Sequence, residues 1–272
     1  MAGAATSGEP KPATAARIYD YHLGGIHNFP ADREAGDAVA KLFPLVPALA
    51  RNNRAFLRRA VQHLAASGVR QFLDIGSGIP TAGNVHEVAR KIVPDARVIY
   101  ADIDPVAVSE SLEILDGDDR ATAVRADLRD PDSILTHPQV RRLINFREPV
   151  GVLLIAVLHF VPDDEAAVDA VSRLCAPLVP GSHLAISHAS SDGLAEPAAD
   201  DLAVAKDLYQ RSTTTPFHLR SRPQVERFFA GQELLEPGVV WLPQWRPAPD
   251  DPTDFTAEPS MSAGLAGVGR IR

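Results

Sequence analysis

Gln71-Phe-Leu-Asp-Ile-Gly-Ser-Gly-Ile-Pro80, QFLDIGSGIP in one-letter form, is an apolar run that ends in an acid and then breaks on two glycines. A buried strand running into a glycine turn opens the ligand site of many α/β sheets, because backbone approaches a ligand closely only where no side chain stands between. Outward from this stretch the rhythm repeats. VRQFLDI, ARVIYAD, ATAVRAD, PVGVLLIAVLHF and GSHLAISHAS read as strands, and NVHEVARKIV, DPVAVSESLEIL, DPDSILTH and PDDEAAVDAVSRLCAPLV as the helices between them. Asn84 and Glu87 have capping-box spacing, and Asp104 caps a helix whose first position is Pro105. PVGVLLIAVLHF is the most apolar run and is expected to be a central strand covered on both faces. Two more strand-like pieces flank Pro237-Gly238, which predicts a doubly wound, mostly parallel, seven-stranded sheet of the α/β class.

Before that sheet, ATAARIYDYHLGGIHNF to RNNRAFLRRAVQHLAASG carries helical periodicity broken by Gly24-Gly25, Pro30, Pro44 and Pro47, and is read as two or three helices. The expected organisation is a disordered stretch over 1–13, a helical cap or lid over 14–68, a ligand-binding domain over 69–246 and a tail over 247–272. The ending SAGLAGVGRIR is too small and glycine-rich to pack alone.

With 272 residues, 45% hydrophobic and 23% charged, the chain has an ordinary globular composition. Its net charge of −8 gives no general attraction to a phosphate backbone, so no nucleic-acid partner is expected. No apolar run reaches the ~20 residues that span a bilayer, and the N-terminus lacks the pattern of a secretory signal. The single cysteine, Cys175, reads as a buried structural thiol and suits a cytoplasmic location. The histidines show no ligand spacing, and no metal is expected.

Asp74 decides between two cofactors. A dinucleotide turns its pyrophosphate towards this glycine turn, and a carboxylate there would repel it. S-adenosylmethionine carries a sulfonium and an ammonium instead, which an aspartate attracts. Asp102 ends the second strand, where an acid can take both ribose hydroxyls, and Asp127 ends the third, where a carboxylate can accept from an adenine amine. Thr81, at the position of the dinucleotide fingerprint's third glycine, also departs from that fingerprint.

FLDIGSGIPT, VIYADIDP, AVRADL and LLIAVLHFVPDD together resemble the class I S-adenosylmethionine-dependent methyltransferases and imply their Rossmann-like fold. ARIYDYHLGGIHNFPADREA, NNRAFLRRAV, IPTAGNVHEVA and SRPQVERFF are similar to a bacterial methyltransferase family long known only as a domain of unknown function. By position, the resemblance implies that Asp74, Gly76, Ser77 and Gly78 surround the methionine part, Asp102 holds the ribose, Ile103 flanks the adenine, and Asp127 and Leu128 recognise its edge. Ala156 stands after the fourth strand, where many relatives carry Asp or Asn; this departs from the pattern of nucleic-acid amino methyltransferases.

Other residues carry open alternatives. His159, at the tip of the central strand, could accept a proton from the nucleophile or bond a neighbouring loop, and His188 is a weaker candidate. Tyr19, Tyr21 and Asn28 lie in a segment whose glycine pair would let it fold over the cofactor; the tyrosines could cover the methionine or the acceptor, with Tyr21 also a candidate for the catalytic step, or pack in the core. Arg54, and similarly Arg17, could reach the methionine carboxylate or remain solvated. The function expected is methyl transfer from S-adenosylmethionine to a small-molecule acceptor. A non-catalytic module that senses the cofactor and an NAD(P)-dependent oxidoreductase are the alternatives.

Overall fold

A computed structural model of the chain describes residues 12–80, 83–213 and 215–272. The stretch expected to be disordered lies outside the described residues except for Pro12 and Ala13, as does Thr81. Three helices precede the sheet: α1 (Ala15–His22), α2 (Pro30–Leu42) and α3 (Val46–Ala66). Strands and helices then alternate: β1 (Gln71–Ile75), α4 (Val85–Arg90), β2 (Arg97–Asp102), α5 (Pro105–Ile114), β3 (Ala121–Arg125), α6 (Pro131–Thr136), α7 (Pro138–Leu143), β4 (Gly151–Ile155), α8 (Asp164–Cys175) and β5 (His183–Ala189). After β5 come α9 (Ala198–Thr213), α10 (Arg222–Glu226), β6 (Glu233–Leu234), β7 (Val240–Trp241) and β8 (Gly264–Arg270).

The sheet runs β3-β2-β1-β4-β5-β8-β6, parallel from β3 to β5 and antiparallel beyond. Because β5 lines one edge of β8 throughout, β6 and β7 share the other edge, so eight strands fill seven positions. The order reverses between β1 and β4, which puts a crevice at the carboxyl end of β1, where open α/β sheets bind ligands.

Side-chain alternation sorts the sheet into two buried layers. Leu73, Ile99, Val152 and Leu154 pack on the face that also holds Leu143, Leu174 and Phe228, while Phe72, Val98, Tyr100 and Leu153 pack with Phe56, Leu64 and Trp245 on the other. Asp74, two residues after Phe72, is thereby directed to the α3 side of the sheet.

The expectation that 247–272 is a tail outside the domain is corrected. Gly264–Arg270 is a seven-residue strand seated between β5 and the β6/β7 edge, buried up to Gly269. Its glycines are required by space: a Cβ on Gly269 would lie 2.9 Å from Phe229 Cδ1 and 2.3 Å from Gln232 Oε1. The preceding segment is fastened to α3. The Arg59 side chain, almost fully buried, donates to the Trp245 and Leu242 carbonyls and pairs with Asp251, which also accepts from Arg58 and from the Ala248 N–H. Asp251→Ala is expected to lower stability by about 2 kcal/mol, since it removes charge-assisted bonds and leaves the Arg59 guanidinium partly unpaired. Urea unfolding should show the midpoint fall with an unchanged slope.

Candidate functional site

The glycine turn is shaped by what lies against it. Gly76 has φ +68° and donates its N–H to the Ala101 carbonyl at 2.7 Å. A Cβ there would lie 2.1 Å from Val157 Cγ2, so the turn after β4 and the turn after β1 fit together only around a glycine. Gly78 has φ +62° and lies beneath Ala16 of α1, 3.8 Å from where its own Cβ would be. The N-terminal helix therefore roofs the turn.

Asp102, at the tip of β2, is brought directly to that turn. Its carboxylate accepts from the Gly78 N–H at 2.8 Å and from the Asp104 N–H at 2.9 Å. Burial raises its pKa, and these N–H groups pull it down in part. The Ile103 N–H acts on the carboxylate as well, and the acceptor capacity left over is what a diol would use. Ile103 beside it is 51% exposed, a large apolar surface at the strand tip that a flat ring could cover. Asp104 caps α5 by accepting from the Val106 N–H at 2.8 Å, which leaves Asp102 as the acid available to a ligand.

Asp74 is buried, and burial pushes its carboxyl up from 3.8 to about 7; the Arg54 charge works against the rise and Asp102 adds to it. Arg54, from α3, lies over the Tyr19 ring at 5.7 Å, and its buried Nε has no partner among the described residues. A buried donor without an acceptor is costly. An amino-acid end group, ammonium towards Asp74 and carboxylate towards Arg54, would satisfy both charges. The residues present therefore fit the methionine portion of S-adenosylmethionine.

Further along the edge, Asp127 is half-buried and its carboxylate is in use. It accepts from the Arg129 backbone N–H and from the Arg129 guanidinium at 2.6–3.0 Å, which holds its pKa down. Arg129 is exposed, so an adenine amine would have to share or displace a solvated partner. Leu128 turns its side chain into the core, and Ser77 Oγ bonds only the Gly78 carbonyl among its described partners.

Several expected residues are placed elsewhere. Tyr21 follows Tyr19 by two positions, about 200° round a helix, and so faces α2. Its hydroxyl donates to Asp37 at 2.6 Å, which raises its pKa, and its ring lies against Gly36. That placement corrects the expectation that Tyr21 lies over the methionine, the acceptor or the step of transfer. Arg17 is not available for a carboxylate either: its Nε pairs with fully buried Asp32 at 2.8 Å and its guanidinium lies over Phe29. Asn28 donates to Asp20 and to the Gly25 carbonyl and holds the interhelical loop. His27 ties the same loop to Glu110 of α5 at 2.6 Å. Helix α1 and the loop after it therefore lie over the tips of β1 and β2.

His159 lies in the 3-10 turn after β4, buried between Phe160 and Phe217, with ring centroids 4.3 and 4.5 Å away. Burial, then the charges of His188 and Arg220, hold its pKa well below the usual range, so the ring is neutral at pH 7. Its Nδ1 has no partner among the described residues. His188 is structural: burial lowers it to about 3, its Nδ1 meets the Ala189 carbonyl and its Nε2 accepts from Arg220. Arg220, fully buried, also pairs with Asp164 and donates to the Leu158 and Val161 carbonyls, fixing the turn that carries His159. Cys175 is half-buried and its thiol is pushed up to about 12, an unreactive state.

Sequence reasoning passed over Arg220, Asp20, Asn53 and Ser187. Arg220 and Asn53 lie on polar loop or helix positions with partners distant in the chain, whereas Asp20 bonds the His27 N–H and Asn28 only seven and eight residues on. Only the HNF sequence after Gly24-Gly25 hinted that Asp20 organises a loop.

A family model described as S-adenosyl methyltransferase matches residues 3–272. Among solved structures, a DUF574 family protein from Streptomyces avermitilis MA-4680 is 40% identical, covering 96% of this chain and 98% of that one, with a TM-score of 0.87. A proposed methyltransferase from Thermobifida fusca YX is 39% identical over 98% of this chain and 100% of that one, also at 0.87. An O-methyltransferase family protein from Burkholderia thailandensis shares the fold alone, at 16% identity and a TM-score of 0.51, over 93% of this chain and 63% of that one. No curated protein matches the chain. A motif set read at the strand tips and a family match across nearly the whole length agree: the chain belongs to the S-adenosyl methyltransferase family, whose methyl donor is S-adenosylmethionine.

Proposed function

We propose that the chain transfers a methyl group from S-adenosylmethionine to a small organic acceptor. The observation that carries this reading is the convergence of Asp102 on Gly78, beside exposed Ile103 and the Asp74–Arg54 pair, at the point where the strand order reverses. In this reading Asp102 takes the ribose diol, Ile103 lies on the adenine, Asp127 and Leu128 border its edge, and Asp74 and Arg54 divide the amino-acid end. Gly76, Ser77, Gly78 and Ala156 shape the floor, and Tyr19 supports Arg54 from the lid.

The donor supplies an activated methyl on a positively charged sulfur, a good leaving group in line with the attacking atom. What remains for the protein is to place the nucleophile and exclude water. His159 on the β4 turn, neutral and with an unpaired Nδ1, is a hydrogen-bonding partner for the acceptor rather than a strong base, because burial holds its pKa well below the usual range. A small acceptor is favoured over nucleic acid by the net charge of −8. In an assay with methyl-labelled donor, label is expected in a small-molecule extract and not in tRNA, DNA or protein fractions. Label in a macromolecular fraction alone would refute the acceptor class.

Asp74 makes binding depend on pH. A cationic end group is taken by the carboxylate form, and the free protein's carboxyl titrates at about 7. Affinity for S-adenosylhomocysteine should therefore rise with pH up to about 7 and fall roughly tenfold per unit below it. Stability runs the other way. Because the folded value lies above the unfolded one, the ligand-free protein holds more protons folded than unfolded between about pH 4 and 7, so its stability declines as pH rises through that window. Asp74→Asn should remove both dependences, giving a protein that is more stable at pH 8 but binds the cofactor poorly. Calorimetry across pH 5.5–7.5 together with thermal melts checks both signs.

A further inference from the structure

A chain of hydrogen bonds crosses the molecule from the lid to the turn after β4. The Ala156 N–H donates to Ser187 Oγ at 2.9 Å, and the Ser187 hydroxyl donates to Asn53 Oδ1 at 2.5 Å. Asn53 Nδ2 donates to the Tyr19 hydroxyl at 2.8 Å, which donates in turn to the Ala50 carbonyl at 3.1 Å. Asn53 and Ser187 are buried. The direction is fixed at every link. The amide of Asn53 offers an acceptor on one side and a donor on the other, so the serine proton must point at Asn53 and its lone pair at Ala156.

The end of this chain sits on a strained residue. Ala156 has φ +56°, a left-handed conformation that costs a side-chain-bearing residue on the order of 1–2 kcal/mol. Its N–H is held twice, by the Ser187 hydroxyl and by the Ser187 carbonyl at 3.2 Å. That conformation aims the next residue, Val157, at Gly76, where it fills the space a Cβ would need. At the other end, the Tyr19 ring supports Arg54, whose charge acts on Asp74. One relay thus touches both the floor of the glycine turn and the charged pair assigned to the amino-acid end. Asp102, Ile103 and Asp127, assigned to the adenosine end, lie on β2 and after β3, with no link in this chain.

We infer that Asn53 and Ser187 are positioning residues that lock the lid helix to the β4 turn and so set the methionine end of the site. The inference rests on the cofactor reading above. It goes further in predicting that the two halves of the ligand depend on different residues.

The test compares S-adenosylhomocysteine with 5′-methylthioadenosine, which keeps the adenosine and lacks the amino-acid end. With Asn53→Leu or Ser187→Ala, affinity for S-adenosylhomocysteine should fall about tenfold, the scale of one buried unpaired polar group. Affinity for methylthioadenosine should stay at the wild-type value. A purely structural role would lower both together. The second readout is a cycle with Tyr19→Phe: because the links act as one unit, Tyr19→Phe combined with Ser187→Ala should cost little more than either alone, not their product. Equal losses for the two ligands, or losses that multiply, would overturn the relay. If wild-type protein bound methylthioadenosine but not S-adenosylhomocysteine, the amino-acid end would be unassigned and the relay would fall with it. Binding of neither would remove the cofactor reading itself.

Discussion

Asp102→Ala is expected to weaken S-adenosylhomocysteine binding by about 100- to 1000-fold while leaving the fold intact. A ribose diol on a buried carboxylate makes two charge-assisted hydrogen bonds of roughly 1.5–3 kcal/mol each, and alanine removes both. The variant also loses the acceptor of the Gly78 N–H, so the turn is no longer held against the tip of β2. Against this, burial raises the Asp102 pKa, which marks the ionised carboxylate as a cost to the ligand-free fold. Melting temperature should therefore change little even as affinity collapses. Asp102→Asn, which keeps one acceptor oxygen, should fall between. Calorimetric titration checks the series, and an alanine variant that binds within tenfold of wild type would remove Asp102 from the site.

Gly76→Ala should act on the fold as well as on the ligand. A left-handed φ of +68° costs an alanine on the order of 1–2 kcal/mol, and the new Cβ would overlap Val157 Cγ2 at 2.1 Å. Either the β1 turn lifts or Val157 swings away, and overpacking of this kind adds roughly another 1–3 kcal/mol. The expected total is about 3 kcal/mol or more in urea unfolding, with cofactor binding lost. Val157→Ala in the same chain should recover only part of it, since Val157 Cβ itself would sit 2.5 Å from the new atom. Gly78→Ala meets nothing nearer than 3.8 Å, so it should show the backbone cost alone and serve as the comparison.

Three strands of the parallel half were readable as short apolar runs ended by an acid, and β4 as the most apolar run of the chain. Asp74, Asp102 and Asp127 mark the tips of β1, β2 and β3, and Asp104-Pro105 fixes where α5 begins. Strand β8 was not readable. LAGVGR has too little side chain to announce a strand, and its glycines make sense only once Phe229 and Gln232 are known to press on them. The acids proposed for the cofactor stand out in the sequence for a similar reason of locality, since a strand tip followed by a glycine turn is one continuous stretch. Asn53, Ser187 and Arg220 work through partners as far as 134 residues away, and nothing in their neighbours signals the meeting. Tyr21 failed differently. Its closeness to Tyr19 in sequence suggests a shared role, whereas helical geometry turns one towards Arg54 and the other towards Asp37.

Calorimetric titration of the wild-type protein with S-adenosylhomocysteine and, separately, with NAD at pH 7.5 is the most direct trial of a crevice that combines Asp102 with a buried acid beside the glycine turn. One-to-one binding of the homocysteine derivative, and no heat from the dinucleotide, is the predicted outcome. Binding of NAD, or no binding of S-adenosylhomocysteine, would contradict it.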